Sequence, residues 1–124
     1  MVESTETQRA VLRNVMDRWK AAVDAHEPQQ VAACFTEDAV FQGLRPYSVG
    51  RAGVAEYYDS QPLGLMAVYE VLEVRSLAED VLLGYLSVDF SFADRPTIPV
   101  TLGVVLRRLD GEWYIAHYQV ARRD

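Results

Sequence analysis

The sequence holds one cysteine, two histidines, fewer bases than acids, and no uninterrupted apolar stretch approaching the ~18 residues of a membrane-spanning helix. Each shortage removes a class of function. Cys34 cannot close an internal disulfide, and a reducing cytoplasm is the setting expected for it. Its neighbours Val31, Ala32, Ala33 and Phe35 are apolar and no basic residue adjoins it, so Cys34 reads as a small buried hydrophobe before a nucleophile. His26 and His117 stand far apart, with no His-x-x-x-His or Cys-x-x-Cys spacing, so no metal site is predicted. Gly-x-Gly-x-x-Gly and phosphate-loop patterns are absent as well, and no cofactor is expected. Residues 1–6 lack the basic and apolar regions of an export signal, so neither secretion nor membrane insertion is indicated. With 12 Lys and Arg against 18 Asp and Glu, the net charge is −6, and nucleic acid is not an expected partner. The basic pairs Arg107-Arg108 and Arg122-Arg123 read as solvated strand ends.

What is present is an ordinary globular composition, 50% hydrophobic and 24% charged over 124 residues, enough for one core. No repeat or linker divides the chain, so a single domain spanning 1–124 is expected. Val11, Leu12, Val15, Met16, Trp19, Ala22 and Val23 recur at three- and four-residue steps after a Thr5/Gln8 capping-box spacing, predicting a helix over about 6–25. Pro28 suits the first turn of a short second helix, 28–34. Thr36-Glu37-Asp38 reads as a turn, Ala39-Val40-Phe41-Gln42 as a short strand, and 43–50 as a loop before a third helix over 51–60. Beyond Leu65 the composition shifts to β-branched and aromatic residues cut by three turn signals, predicting an antiparallel meander of strands near 66–77, 81–92, 98–109 and 112–121. In the second of these, Leu82, Leu86, Val88, Phe90 and Phe92 alternate with Tyr85, Ser87, Asp89 and Ser91, giving a dry face that the helices must cover. The fold class is α+β.

The order helix, short helix, Phe35-Thr36-Glu37-Asp38-Ala39-Val40-Phe41, loop, Gly50-Arg51, four strands and Gly111-Glu112-Trp113-Tyr114-Ile115 resembles the nuclear transport factor 2-like superfamily. Within it, the chain looks like the SnoaL-like and ketosteroid-isomerase-like proteins. The resemblance covers nearly the whole chain and implies a cystatin-like α+β cone, three N-terminal helices packed on a curved antiparallel sheet around an apolar pocket. It further implies a homodimer formed through the sheet. Phe41-Gln42-Gly43, Tyr57-Tyr58 with Gln61-Pro62, and Ala116-His117-Tyr118-Gln119 are similar to a bacterial subgroup associated with polyketide and enediyne biosynthesis. The superfamily mixes isomerases, cyclases, dehydratases and non-enzymes, so the fold alone does not choose among them.

Ketosteroid isomerase moves a proton with one carboxylate base, aided by a Tyr and a protonated acid at the enolate oxygen. The stretches matching those acids are Phe41-Gln42-Gly43-Leu44 and Leu102-Gly103-Val104-Val105-Leu106, neither of which carries a carboxylate. That route is therefore not expected. His117 is the candidate general base, because it shares strand parity with Trp113 and Ile115, which the resemblance implies turn toward the core, with Gln119 following on the same face. A satisfied histidine bridging strand and helix is the competing reading. Trp19, Phe41, Gln42, Tyr47, Tyr57, Tyr58 and Gln119 are the candidate ligand-binding residues, an aromatic set suited to a small apolar or aromatic organic ligand and equally to plain core packing. Asp89 reads as solvated or as part of a sheet-to-sheet dimer contact, an acid only if its face lines the cavity, and the resemblance implies that Asp38 beside Glu37 is a cap or loop brace; adjacent carboxylates do not make a glycosidase pair. Three functions stay open: a ligand-binding or cyclase/isomerase-like accessory protein for a polyketide-type metabolite, an enzyme for proton transfer, hydration or hydrolysis using His117, and a dimeric interaction module using Tyr69, Val71, Tyr85 and Val105.

Overall fold

The structure is a computed structural model and describes residues 5–123. In chain order its elements are α1 (Thr5–Asp24), α2 (Pro28–Ala33), β1 (Phe35–Gln42), β2 (Tyr47–Val49), α3 (Arg51–Asp59), β3 (Met66–Ala78), β4 (Val81–Ser91), β5 (Ile98–Leu109) and β6 (Glu112–Arg122). Thr5 already lies in helical backbone, so it does not cap α1 from outside. The residues before it, 1–4, fall outside the described range, as does the reading of the extreme N-terminus.

Six strands form one sheet in the order β2-β1-β6-β5-β4-β3. The four long strands make the expected meander, but β1 runs parallel to β6, so the sheet is mixed and not antiparallel throughout. The cause lies in the N-terminal third of the chain. Thr36-Glu37-Asp38 does not turn; it continues β1 through an irregularity in register between Phe35 and Val40, anchored to β6 at both ends. The three residues of β2 pair antiparallel with β1 as an edge, a strand too short to show alternation in sequence. Of the helices, α1 and α3 are substantial, whereas α2 is a six-residue turn and a half.

The stripe Leu12, Val15, Met16, Trp19, Ala22 and Val23 lies against the sheet, and each is buried. Burying one large apolar side chain stabilises the fold by about 1.5–3 kcal/mol, so this stripe is what holds α1 down. Close approach also fixes Gly84: a Cβ there would sit 2.6 Å from a Leu12 methyl carbon. The far end of α1 is tied by polar contacts, with Lys20 donating to Asp24 Oδ2 (2.6 Å) and to the Ala67 carbonyl (2.7 Å) while Asp24 Oδ1 accepts from Ala67 N–H (2.9 Å). Tyr69 donates to Asp17 and Val71 packs on the core, so both belong to the helix-covered face and not to the outer one expected for them. Among the described residues no helix is long and apolar enough to cross a membrane.

One irregularity governs everything that follows. Val105 pairs with His117, but the next residue, Leu106, pairs with Ile115, so Ala116 is an extra residue bulged out of β6. An inserted residue reverses strand alternation beyond it. Ile115 faces the core before the bulge, and Tyr118 and Val120 face it afterwards.

Candidate ligand cleft

A cleft of about 470 Å³ opens where the β1–β2 loop, the end of α3 and the β4–β5 connection meet the last turns of the sheet. Its inner wall is Tyr57, Tyr58, Leu65, Phe90, Ile98, Tyr118 and Val120, and its rim is Leu44, Arg45, Pro46, Gln61, Phe92 and Arg95. Among the described residues no carboxylate and no histidine lines it. A wider groove of about 1030 Å³ between α2 and α3 is walled by alanines, Arg51, Glu56 and Asp59, and none of its lining polar residues is buried.

The floor is an aromatic stack with two polar tips. Phe41 lies against Tyr118 at 4.7 Å and 20°, Phe35 tilts onto Tyr118 at 5.9 Å, and Tyr57 meets Tyr58 edge-on at 4.9 Å. Trp19 sits behind them, 6.0 Å from Phe90 and 6.2 Å from Tyr118. The hydroxyls of Tyr58 and Tyr118 share one hydrogen bond of 3.3 Å. Both rings are buried. One O–H is consumed between them, which leaves one phenolic proton and spare lone pairs for another group. The indole N–H of Trp19 is buried and closes no hydrogen bond. It stands near enough to Tyr58 to favour charge on that oxygen, a weaker effect than burial and the shared bond to Tyr118.

Burial holds the Tyr58 hydroxyl well above the ordinary tyrosine range, against the opposing pull of the Tyr118 hydrogen bond. Burial likewise raises Tyr118, with Tyr58 adding to the shift, and it raises Tyr57. The physical consequence is that these phenols remain protonated near neutral pH. They are hydrogen-bond donors to a ligand oxygen, not bases.

The sequence-predicted residues divide sharply. Tyr57 and Tyr58 line the cleft, and Phe41 and Trp19 support its floor from the core. His117 does not enter it. Lying between Val40 and Val105 on the outer face, it is turned away from Tyr118 by alternation after the Ala116 bulge. Gln119 follows it outward and is exposed. Gln42 spends its amide on the β1–β2 loop, donating to the carbonyls of Gly43 (2.9 Å) and Pro46 (3.2 Å). Tyr47 lies on the edge strand and is 65% exposed.

Tyr118 was hidden from the sequence reading by the same bulge that removed His117. Phe90 lies on the dry face that the alternation of β4 predicts, but nothing in that strand distinguishes a cleft wall from a core position. Cys34 is buried, its thiol set near the Gln30 carbonyl at 3.5 Å, and burial pushes its pKa up while Arg18 opposes this. Asp89 pairs with Arg123 (2.7 Å) on the outer face, and Asp38 accepts from Thr36 Oγ1 (3.0 Å) beside the β1 irregularity. Gly50, at φ +97°, donates to the Ala39 carbonyl while Arg51 donates to the Phe35 carbonyl, which explains why Gly-Arg follows this loop. Among the described residues no cluster of three or more His, Cys, Asp or Glu is placed to hold a metal ion.

Residues 4–119 match the family model described as a SnoaL-like domain. Among curated proteins none matches the chain in sequence. Solved structures do. A cystatin-like-fold domain of unknown function from Nostoc punctiforme shares 19% identity at a TM-score of 0.82, over 98% of this chain and 80% of that one. A ketosteroid isomerase-like protein from Erwinia carotovora shares 24% identity at 0.75, over 93% and 95%. A scytalone dehydratase-like protein from Novosphingobium aromaticivorans shares 13% identity at 0.79, over 95% and 85%. At these identities the likeness establishes the fold.

Proposed function

The chain belongs to the SnoaL-like domain family, and from that premise we propose that it binds a small, flat, largely apolar molecule whose oxygen is held by the Tyr58–Tyr118 pair. The hydroxyl pair carries this reading. Two phenols buried in an aromatic wall, with one proton left to donate, are costly to maintain without an acceptor. A planar carbonyl or phenol supplies that acceptor and stacks on the surrounding rings. The fold's isomerase- and dehydratase-type relatives support a small-molecule role. A place beside polyketide-type metabolism, in a cytoplasmic setting, accords with such a ligand.

Catalysis by a proton-abstracting side chain lacks support from the cleft, because its lining holds no carboxylate or imidazole. What the pair can do chemically is polarise a carbonyl, since a neutral phenol donates to developing negative charge without needing to ionise. The cleft therefore fits a binding or cyclisation-assisting protein better than an isomerase of the two-acid kind. Titration calorimetry with 1,4-naphthoquinone and 2-naphthol tests this. Binding should weaken about fivefold to twentyfold in Tyr58→Phe or Tyr118→Phe, the loss of one hydrogen bond in a buried site. Equal affinity in wild type and both variants would sink the role of the pair.

A second reading concerns the outer face, where Val40, Leu83, Val105 and the exposed Tyr85 form neighbouring rows around His117 and Gln119. We propose that two copies of the chain meet there. Self-association and ligand binding use opposite faces and are compatible.

A further inference from the structure

The two charged residues at the cleft are both arginines, although acids outnumber bases 18 to 12 in the chain. Arg45 comes from the β1–β2 loop and Arg95 from the β4–β5 connection, so the two cations reach one rim from separate elements. Each is held on a shaped support. The loop bearing Arg45 is closed by Gly43 N–H donating to the Pro46 carbonyl (2.9 Å) and braced by the Gln42 amide. The Arg95 guanidinium lies 5.0 Å over the ring of Phe92, itself a rim residue. Asp94 meets Arg95 only through Nε, at 3.2 Å, which leaves the two terminal nitrogens outside that pair.

Inward from this rim the walls are aromatic and aliphatic as far as the Tyr58–Tyr118 hydroxyls. The cleft is thus polar and neutral at its floor, apolar along its length, and cationic at its mouth. From this order we propose that the ligand is an organic acid: a flat apolar body with an oxygen at the inner end and a carboxylate at the outer end, clasped by Arg45 and Arg95. Guanidinium groups suit a carboxylate because their donors match its two oxygens. The negative charge of the whole protein would otherwise repel such a ligand, so the local reversal of sign at the mouth selects for it.

The inference rests on the cleft being a binding site, and the test separates the two. The probes are 6-hydroxy-2-naphthoate, 6-hydroxy-2-naphthamide and (6-hydroxy-2-naphthyl)methylamine, one body with an anionic, neutral or cationic end, measured by calorimetry at low and high salt. The expected order is acid, then amide, then amine, with the acid favoured over the amide by about threefold to tenfold and the preference shrinking as salt rises. Arg45→Glu with Arg95→Glu should reverse the order; both side chains are exposed, and the single variants Arg45→Gln and Arg95→Gln, each losing part of the preference, serve if the double variant is unstable. Equal affinities for the three probes, still weakened by Tyr58→Phe, would overturn the acid selectivity and leave the cleft standing. Failure of all three to bind would overturn the cleft reading and this inference together.

Discussion

The Tyr58–Tyr118 contact couples ligand recognition to stability. A phenol raised by burial binds its proton more tightly in the folded chain than in the unfolded one. Its contribution to stability is therefore fully present below the unfolded tyrosine value near pH 10, and is lost as pH rises through the higher folded values. Alkaline unfolding should begin above about pH 10, and ultraviolet titration should show the two buried tyrosines ionising only with loss of near-ultraviolet dichroism. Tyr58→Phe removes one raised group, and its stability should fall less steeply over the same range. Ionisation of all seven tyrosines near pH 10 in a still-folded chain would contradict the burial argument. The sequence showed Tyr58 as a candidate because it belongs to the aromatic set concentrated in the helical half of the chain. It could not show Tyr118, because Trp113, Ile115, His117 and Tyr118 offer residues fit for burial at both parities.

At the scale of elements, α1, β4 and β5 were legible because their burial periods run with little interruption, while β3 and β6 were marked by β-branched and aromatic composition between turn signals. What escaped was short or irregular: the edge strand β2, the continuation of β1 through Thr36-Glu37-Asp38, and the bulge in β6. A bulge adds one residue and has no compositional mark, yet it decides which half of a strand faces the cleft. This makes Ala116 the most consequential small residue in the fold. Deleting it sets His117 directly after Ile115, so that plain alternation keeps Ile115, Tyr118 and Val120 inward and His117 outward with no bulge needed. Were Ala116 instead kept and paired as an ordinary strand residue, Tyr118 and Val120 would turn outward and His117 inward, a loss of about 3–6 kcal/mol of burial before counting a buried imidazole. The deletion variant should therefore stay folded in urea melts and keep its cleft, losing no more than about 1–3 kcal/mol for the local change in strand path. An unfolded deletion variant would mean that Ala116 is not the extra residue and that the faces beyond Ile115 depend on it.

For the molecule as a whole, the helices cover one face of the six-stranded sheet and leave the other to solvent. That outer face is neither a normal solvated surface nor a core. Val40, Leu83 and Val105 stand half-buried in one row across β1, β4 and β5 with His117 between them, and Tyr85 is 45% exposed in the next row. Apolar groups concentrated on a flat sheet face mark an interaction surface more often than an isolated exposed residue does. The symmetry of a homodimer allows the same rows to serve both partners, each filling the space beside the other's Gly103, which has no side chain opposite Tyr85. Sedimentation equilibrium should therefore give twice the chain mass. Tyr85→Glu with Val105→Glu should return it to monomer with little change in ligand affinity, because the cleft opens on the opposite side of the sheet. A wild-type monomer at high micromolar concentration would refute the assignment of this face. Loss of ligand binding in a folded monomeric variant would show instead that the cleft depends on the second copy, and that its rim is completed across the interface.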